Sequence, residues 1–310
     1  MLSEYELLFE AEHPDINVQW IDMGGQDAYD RIRTEKNNPV ASLWWGGDSP
    51  TFSRAAEEDL LASYTPTWAD GIPIESRDPS GRWFATYLTP EILLFNTRAI
   101  IDSDKPLDWD DLLDPKWHDR IIVRYPLASS TMRTIWGALI MRQESVEKGY
   151  EWLARLDLNT KTYAADPTQL YLKVARGEGD VSLWNMPDTY IQSQTNGYPF
   201  SFSIPTSGTP VLNDGIALVA NGPALEAATL FYEFVTTSDA LIHQANVYYR
   251  IPARTDIDAA ALPEWMREAE IRAMDIDWAR LTEEGPDWMQ FWDENIKGRG
   301  EEYLASIGAQ

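Results

Sequence analysis

Three stretches of this sequence put hydroxyl, amide or carboxylate groups where the chain leaves an apolar strand and enters a helix. In Pro126-Leu-Ala-Ser-Ser-Thr-Met-Arg133, the hydroxyls of Ser129, Ser130 and Thr131 stand at the start of an apolar helical run, Thr131 to Met141. The first N–H groups of a helix have no partner inside it, and the helix dipole makes that end attract anions. One hydroxyl is enough to cap a helix, so three in a row suggest either ordinary capping or a bound anion. Arg124 and Arg133 flank the stretch and could pair with such an anion, although surface exposure is the common fate of either. Trp45-Gly-Gly-Asp-Ser49 follows the short strand Ala41 to Trp45. There Trp45 could stack on a ligand, Asp48 could bind it or cap the next helix, and Ser49 adjoins both. Asn185-Met-Pro-Asp-Thr-Tyr190 follows the strand Val181 to Trp184 and offers Asn185 and Asp188. Asp214 sits in the turn before Ile216 to Ala220, and Tyr87 lies in the extended run Trp83 to Asn96. In open α/β sheets, ligands gather beyond the carboxyl ends of strands, where these loops stand.

Other chemistry is missing from the sequence. The 310 residues contain no cysteine, which excludes disulfides, thiolate metal sites and cysteine nucleophiles. No GxSxG elbow, P-loop, GxGxxG or HExxH pattern occurs. The formal net charge of −25 repels nucleic acid and anionic lipid, and reads first as a solubility device. No apolar run approaches the roughly 20 residues that a membrane span needs. His13, His118 and His243 fall in helix or turn contexts and read as structural.

The elements that position these groups alternate between strand and helix. The first residues read as a helix with Leu2, Tyr5, Leu8 and Phe9 on one face. Ile16 to Met23 alternates as a strand, and helices follow at 26–36 and 48–59. A parallel unit does not ordinarily open on its helix, so the expectation is that an N-terminal strand, and any export signal, is missing from this numbering. Asp108 to Leu113 reads as a capped helix start, and Ile121 to Tyr125 as a buried strand. Ser145 caps a helix closed by Asp157, and Gly177 stops another that begins at Pro167. Pro223 to Thr236 is helical, and the tail from Pro263 is helical with Trp265, Trp278, Trp288 and Trp292, aromatics whose helical spacing suits a core. The rhythm restarts after residue 98, which argues for a second α/β domain.

Several motifs in fixed order carry a family resemblance. Glu10-Ala-Glu-His-Pro-Asp-Ile-Asn-Val18, Trp45-Gly-Gly-Asp48 with Leu60-Leu61 and Tyr64, Ile92 to Thr97, Trp109-Asp-Asp-Leu-Leu-Asp-Pro-Lys-Trp117, Asp214 to Val219 with Ala227, Ala228 and Phe231, and Tyr249-Arg-Ile-Pro252 follow one another in that order. Together they resemble the extracellular solute-binding proteins of ABC importers, family 1, the ferric-ion-binding type. The resemblance implies an α/β, two-lobed periplasmic-binding-protein fold of type II. Each lobe would be a mostly parallel sheet flanked by helices, and crossing hinge strands would join them. Residues 1–90 and 210–260 would form lobe 1, residues 91–209 lobe 2, and residues 261–310 C-terminal helices packing on lobe 2. It implies a non-enzymatic, monomeric, periplasmic or extracellular protein, free or membrane-anchored, that closes on a small solute and delivers it to a membrane permease. No nucleic acid partner and no resident cofactor are expected.

The expected solute contacts are Trp45, Asp48, Ser49, Tyr87, Ser129, Ser130, Thr131, Asn185, Asp188 and Asp214. Iron-binding members carry adjacent tyrosines as phenolate ligands in the segment that here holds Tyr190 alone, and they draw a histidine from the strand expected to be missing. That departure favours a small organic or phosphorylated anion. If ferric ion or a ferric chelate were the ligand, Asp48, Tyr190 and Tyr249 would hold it. Two readings of other classes stand beside this one: a hydrolase or transferase on a doubly wound fold, and a sensory ligand-binding domain.

Overall fold

The apolar runs and their terminators become the elements of a computed structural model that describes residues 1–309. The chain forms two compact units, Met1–Thr89 with Leu212–Ala269, and Pro90–Val211 with Glu270–Gln310. It opens with α1 (Leu2–Glu12), α2 (Gly25–Thr34), β1 (Leu43–Asp48), α3 (Ser49–Glu57) and β2 (Leu61–Ala62). The long β3 (Phe84–Asn96) carries the chain from the first unit into the second. There follow β4 (Ile121–Arg124), α4 (Ser130–Met141), α5 (Val146–Asn159), β5 (Thr160–Ala164), α6 (Pro167–Ala175), β6 (Val181–Asn185), α7 (Met186–Gln194) and β7 (Phe200–Ser203). The return runs through β8 (Val211–Val219), α8 (Leu225–Val235), α9 (Ser238–Tyr248), β9 (Ile251–Pro252) and α10 (Glu264–Glu268). The last two helices, α11 (Trp278–Asn295) and α12 (Gly300–Ser306), belong to the second unit.

In the first unit β8 pairs antiparallel with both β1 and β2, and the start of β3 pairs antiparallel with β9. In the second unit β4 lies parallel between β5 and β6, while the rest of β3 runs antiparallel to β6 and β7. The α/β class therefore holds with mixed strand directions rather than mostly parallel ones: strands that return through the chain's later segments enter the sheets in reverse. The segment Ile16 to Met23, expected as a strand, forms no ladder among the described residues. Its backbone is irregular, with Ile16 and Val18 packed against the first unit's core and Trp20 outside, where its indole N–H donates to Glu6 at 2.8 Å. Alternation prepares a segment for pairing, but only a neighbouring strand makes it one.

The first unit's core gathers α1, β1, α3 and α8. Phe9 and Phe52 are fully buried, Trp44 stacks on Phe52 at 4.1 Å, and Trp68 donates to Thr236 at 2.8 Å. The second unit buries Trp109, Trp117, Trp136 and Trp292 almost completely. Of the tail tryptophans, Trp288 and Trp292 are core residues, and Trp292 meets Trp136 edge-on at 5.8 Å. The segment 109–113 is a 3-10 turn, held by a reciprocal capping box between Asp108 and Asp111. α5 runs two residues past Asp157, whose carboxylate takes the N–H groups of Gly298 and Gly300 at 2.9 Å each.

Candidate functional site

Each unit presents a strand-to-helix junction, and the candidate residues cluster at these places. In the first unit β1 turns into α3 through Gly46 and Gly47, whose φ angles of +94° and +125° are open to glycine. A side chain at Gly47 would also meet the Trp44 ring at 3.1 Å. This bend presents Asp48, which is buried and accepts the Thr51 N–H at 2.9 Å as the cap of α3. Ser49 is buried at the first position of that helix. Across the ladder, Asp48 stands opposite Asp214. Asp214 accepts from the Thr89 hydroxyl and the Gly47 N–H. Burial drives its carboxyl up to about 7; Asp48 adds to the rise, while Thr89, Arg250 and Gly47 oppose it. Tyr87 is buried with the Arg250 guanidinium 4.8 Å above its ring. Trp45 packs edge-on against Tyr5 at 5.8 Å, and its buried indole N–H meets no acceptor.

In the second unit β4 ends at Arg124 and passes through a 3-10 turn, Pro126–Ala128, into α4. Ser129 caps α4, accepting the Met132 N–H at 3.3 Å. Ser130 and Thr131 occupy the first turn, both partly exposed. Arg133 donates to the Leu127 carbonyl, and Tyr125 donates to Asp293 at 3.0 Å, so the loop is tied on two sides. The third junction joins β6 to α7. Asn185 caps it through the Asp188 N–H at 2.9 Å and also donates to the Asp188 carboxylate at 3.0 Å. Trp184 donates to the Tyr171 hydroxyl at 3.0 Å, and that hydroxyl donates onward to Asp188 at 3.2 Å, making one chain of hydrogen bonds.

The structure thus brings Asp48 and Asp214 together, and Asn185 and Asp188 together, while Ser129, Ser130 and Thr131 share one helix end. Tyr190 sits in the second unit against Phe202 at 5.1 Å. Tyr249 lies in the first unit, in left-handed conformation at the end of α9. Glu91 was not among the expected residues. Its side chain is 0 % exposed on β3, paired in register with Asn185. A lone carboxylate immediately before the apolar run Ile92 to Phe95 is the signal that could have marked it. Among the described residues, no three His, Cys, Asp or Glu side chains stand close enough to share a metal ion.

The family of bacterial extracellular solute-binding proteins matches residues 38–283, most of the chain. The chain belongs to that family. It is the solute-binding component of an ABC-type importer, and its relatives are binding proteins rather than enzymes. It is 22% identical over 287 residues to the probable ABC transporter periplasmic-binding protein y4fP of Sinorhizobium fredii, covering 91% of this chain and 80% of that one. The periplasmic binding protein AfuA of Actinobacillus pleuropneumoniae, solved with exogenous fructose-6-phosphate bound, has the same fold. Its TM-score is 0.82 at 23% identity, over 96% of this solute-binding protein and 95% of AfuA. The ferric binding protein of Campylobacter jejuni matches with a TM-score of 0.80 at 20% identity, over 94% of both chains. Binding proteins of such importers hand small solutes to a membrane permease. The family is extracellular, and among the described residues no helix is long and apolar enough to cross a membrane.

Proposed function

We propose that this solute-binding protein captures a small organic anion, carboxylated or phosphorylated, with the anionic group at the first turn of α4. One observation carries the reading. Among the described residues, every α-helix but α4 has a carboxylate at its cap or in its first turn: Asp48 for α3, Asp166 for α6, Asp188 for α7, Asp277 for α11, and a Glu or Asp in the first turn of each of the other α-helices. Those carboxylates neutralise the positive helix end and repel a second anion. α4 starts instead with Ser129, Ser130 and Thr131, neutral hydroxyls above free N–H groups, in a chain whose net charge is −25. The fructose-6-phosphate of AfuA supports a phosphorylated solute.

On this reading the protein is a monomer, free or membrane-anchored outside the cell. It holds no resident cofactor and does no chemistry on what it carries. Thermal-shift and calorimetric titration with fructose 6-phosphate, fructose, a dicarboxylate and ferric citrate test it. A phosphorylated or carboxylated compound should raise the melting temperature, and fructose should not. Stabilisation by ferric citrate alone, or by none of the four, would overturn the reading.

A further inference from the structure

α4 begins beside a buried charge that no carboxylate pairs with directly. Arg124, the last residue of β4, is 7 % exposed. Its guanidinium donates to the carbonyls of Ala128 at 3.0 Å, Ala164 at 3.2 Å and Tyr125 at 3.5 Å. Ala128 immediately precedes Ser129, the cap, so the cation is tied to the residue before the helix end. Its Nε is buried and meets no acceptor. All three acceptors are neutral. Arg120, Arg155 and Arg254 each end on a carboxylate at 2.7 to 2.8 Å, whereas Arg124 forms no ion pair among the described residues. Asp166 acts on it only from a distance, because its carboxylate caps α6 through the Gln169 N–H at 2.8 Å. Burial draws the Arg124 pKa below its usual value, as expected for a cation removed from water, and Asp166 opposes the fall. Twice as many acidic as basic residues are available, 50 against 25, yet among the described residues none forms an ion pair with Arg124.

We propose that Arg124 is the buried counter-charge for the solute's anionic group, attracting it through space from beneath the loop that leads into α4 rather than by direct contact. This inference rests on the reading of α4 as the anion site. Arg124 would be a specificity-determining residue: it favours a phosphate or carboxylate over a neutral group of the same shape, through charge that the N–H groups of the helix end cannot supply alone.

Two substitutions separate charge from bracing. Arg124→Lys keeps the charge and loses the planar fork; Arg124→Gln keeps donors for the carbonyls and loses the charge. The probes are inorganic phosphate and fructose 6-phosphate, titrated calorimetrically, with melting curves for each variant. Arg124→Lys should hold affinity within about five-fold of the parent, and Arg124→Gln should lose about 30-fold or more. Equal affinity in a folded Arg124→Gln chain would reduce Arg124 to a brace and overturn the inference while leaving the anion site standing. If Arg124→Gln does not fold, Arg124→Lys decides alone, a loss beyond about 100-fold counting against the counter-charge. If the parent protein binds neither probe nor any other anion, the α4 reading falls, and this inference with it.

Discussion

The junctions β1–α3 and β4–α4 are built alike and charged oppositely. Each ends a strand, turns, and caps the following helix with a side chain. At β1–α3 the cap is the carboxylate of Asp48, Pro50 removes one N–H of the first turn, and Asp214 stands across the ladder. At β4–α4 the cap is the hydroxyl of Ser129, the first turn keeps its N–H groups, and Arg124 donates to the carbonyl of the residue before the cap. The geometry of a helix end is thus common to both. Its electrostatic use is decided by one or two side chains, and the chain has spent acid at one end and withheld it at the other.

The comparison breaks most sharply if α4 is made to resemble its neighbours. Ser130→Asp places a carboxylate in the first turn, where like charges about 4 Å apart repel by several kcal/mol at surface-like dielectric. Anion affinity should fall roughly 100-fold by calorimetry, while the melting temperature holds or rises slightly because an acid suits a helix N-terminus. Retained affinity would place the solute elsewhere.

A second test concerns pH. Asp214 titrates near 7 in the folded state and near the ordinary aspartate value of 3.8 when unfolded. Between those values the folded protein binds the extra proton, so stability falls as pH rises from about 4 to 7 and levels off above. Melting temperatures across that range should decline by a few degrees on this account, and Asp214→Asn should flatten the slope. A parallel decline in Asp214→Asn would assign it to other groups.

Smaller effects separate the two caps. Asp48→Ala should cost about 1 kcal/mol in denaturant unfolding, since a close charged cap is lost. Ser129→Ala, whose hydrogen bond is longer at 3.3 Å against 2.9 Å, should cost about 0.5 kcal/mol and leave anion affinity within a few-fold. A large affinity loss in Ser129→Ala would move the contact from the first-turn N–H groups to the capping hydroxyl.

Most elements were legible in the sequence because their signals are local. The apolar runs 121–125 and 181–184, the caps Ser145 and Asp108, and the stop at Gly177 needed no partner to be read. Strand direction and Ile16 to Met23 were not, because pairing is a property of two segments. The junction loops were recognisable as places where chemistry gathers, and the charge contrast among helix ends is itself written in the sequence. Asp48 and Asp214 could not be paired from it: their register comes from a strand 166 positions later in the chain. The fate of Arg124 was equally hidden, since an arginine beside a loop is ordinarily solvated and only the closing carbonyls of Ala164 and Ala128 bury it.

The chain leaves each unit and later returns to it, at Thr89, Val211 and Ala269. Neither unit can be completed early in synthesis. The first waits for residues up to 269, and the second for the tail that lends Gly298 and Gly300 to Asp157 and Trp292 to Trp136. A ribosome-bound fragment ending near residue 260 would therefore carry most of the sequence yet lack the closing piece of the second core. The order of synthesis keeps the first unit open until residue 269 has emerged and the second until residue 300, a timetable set by connectivity alone.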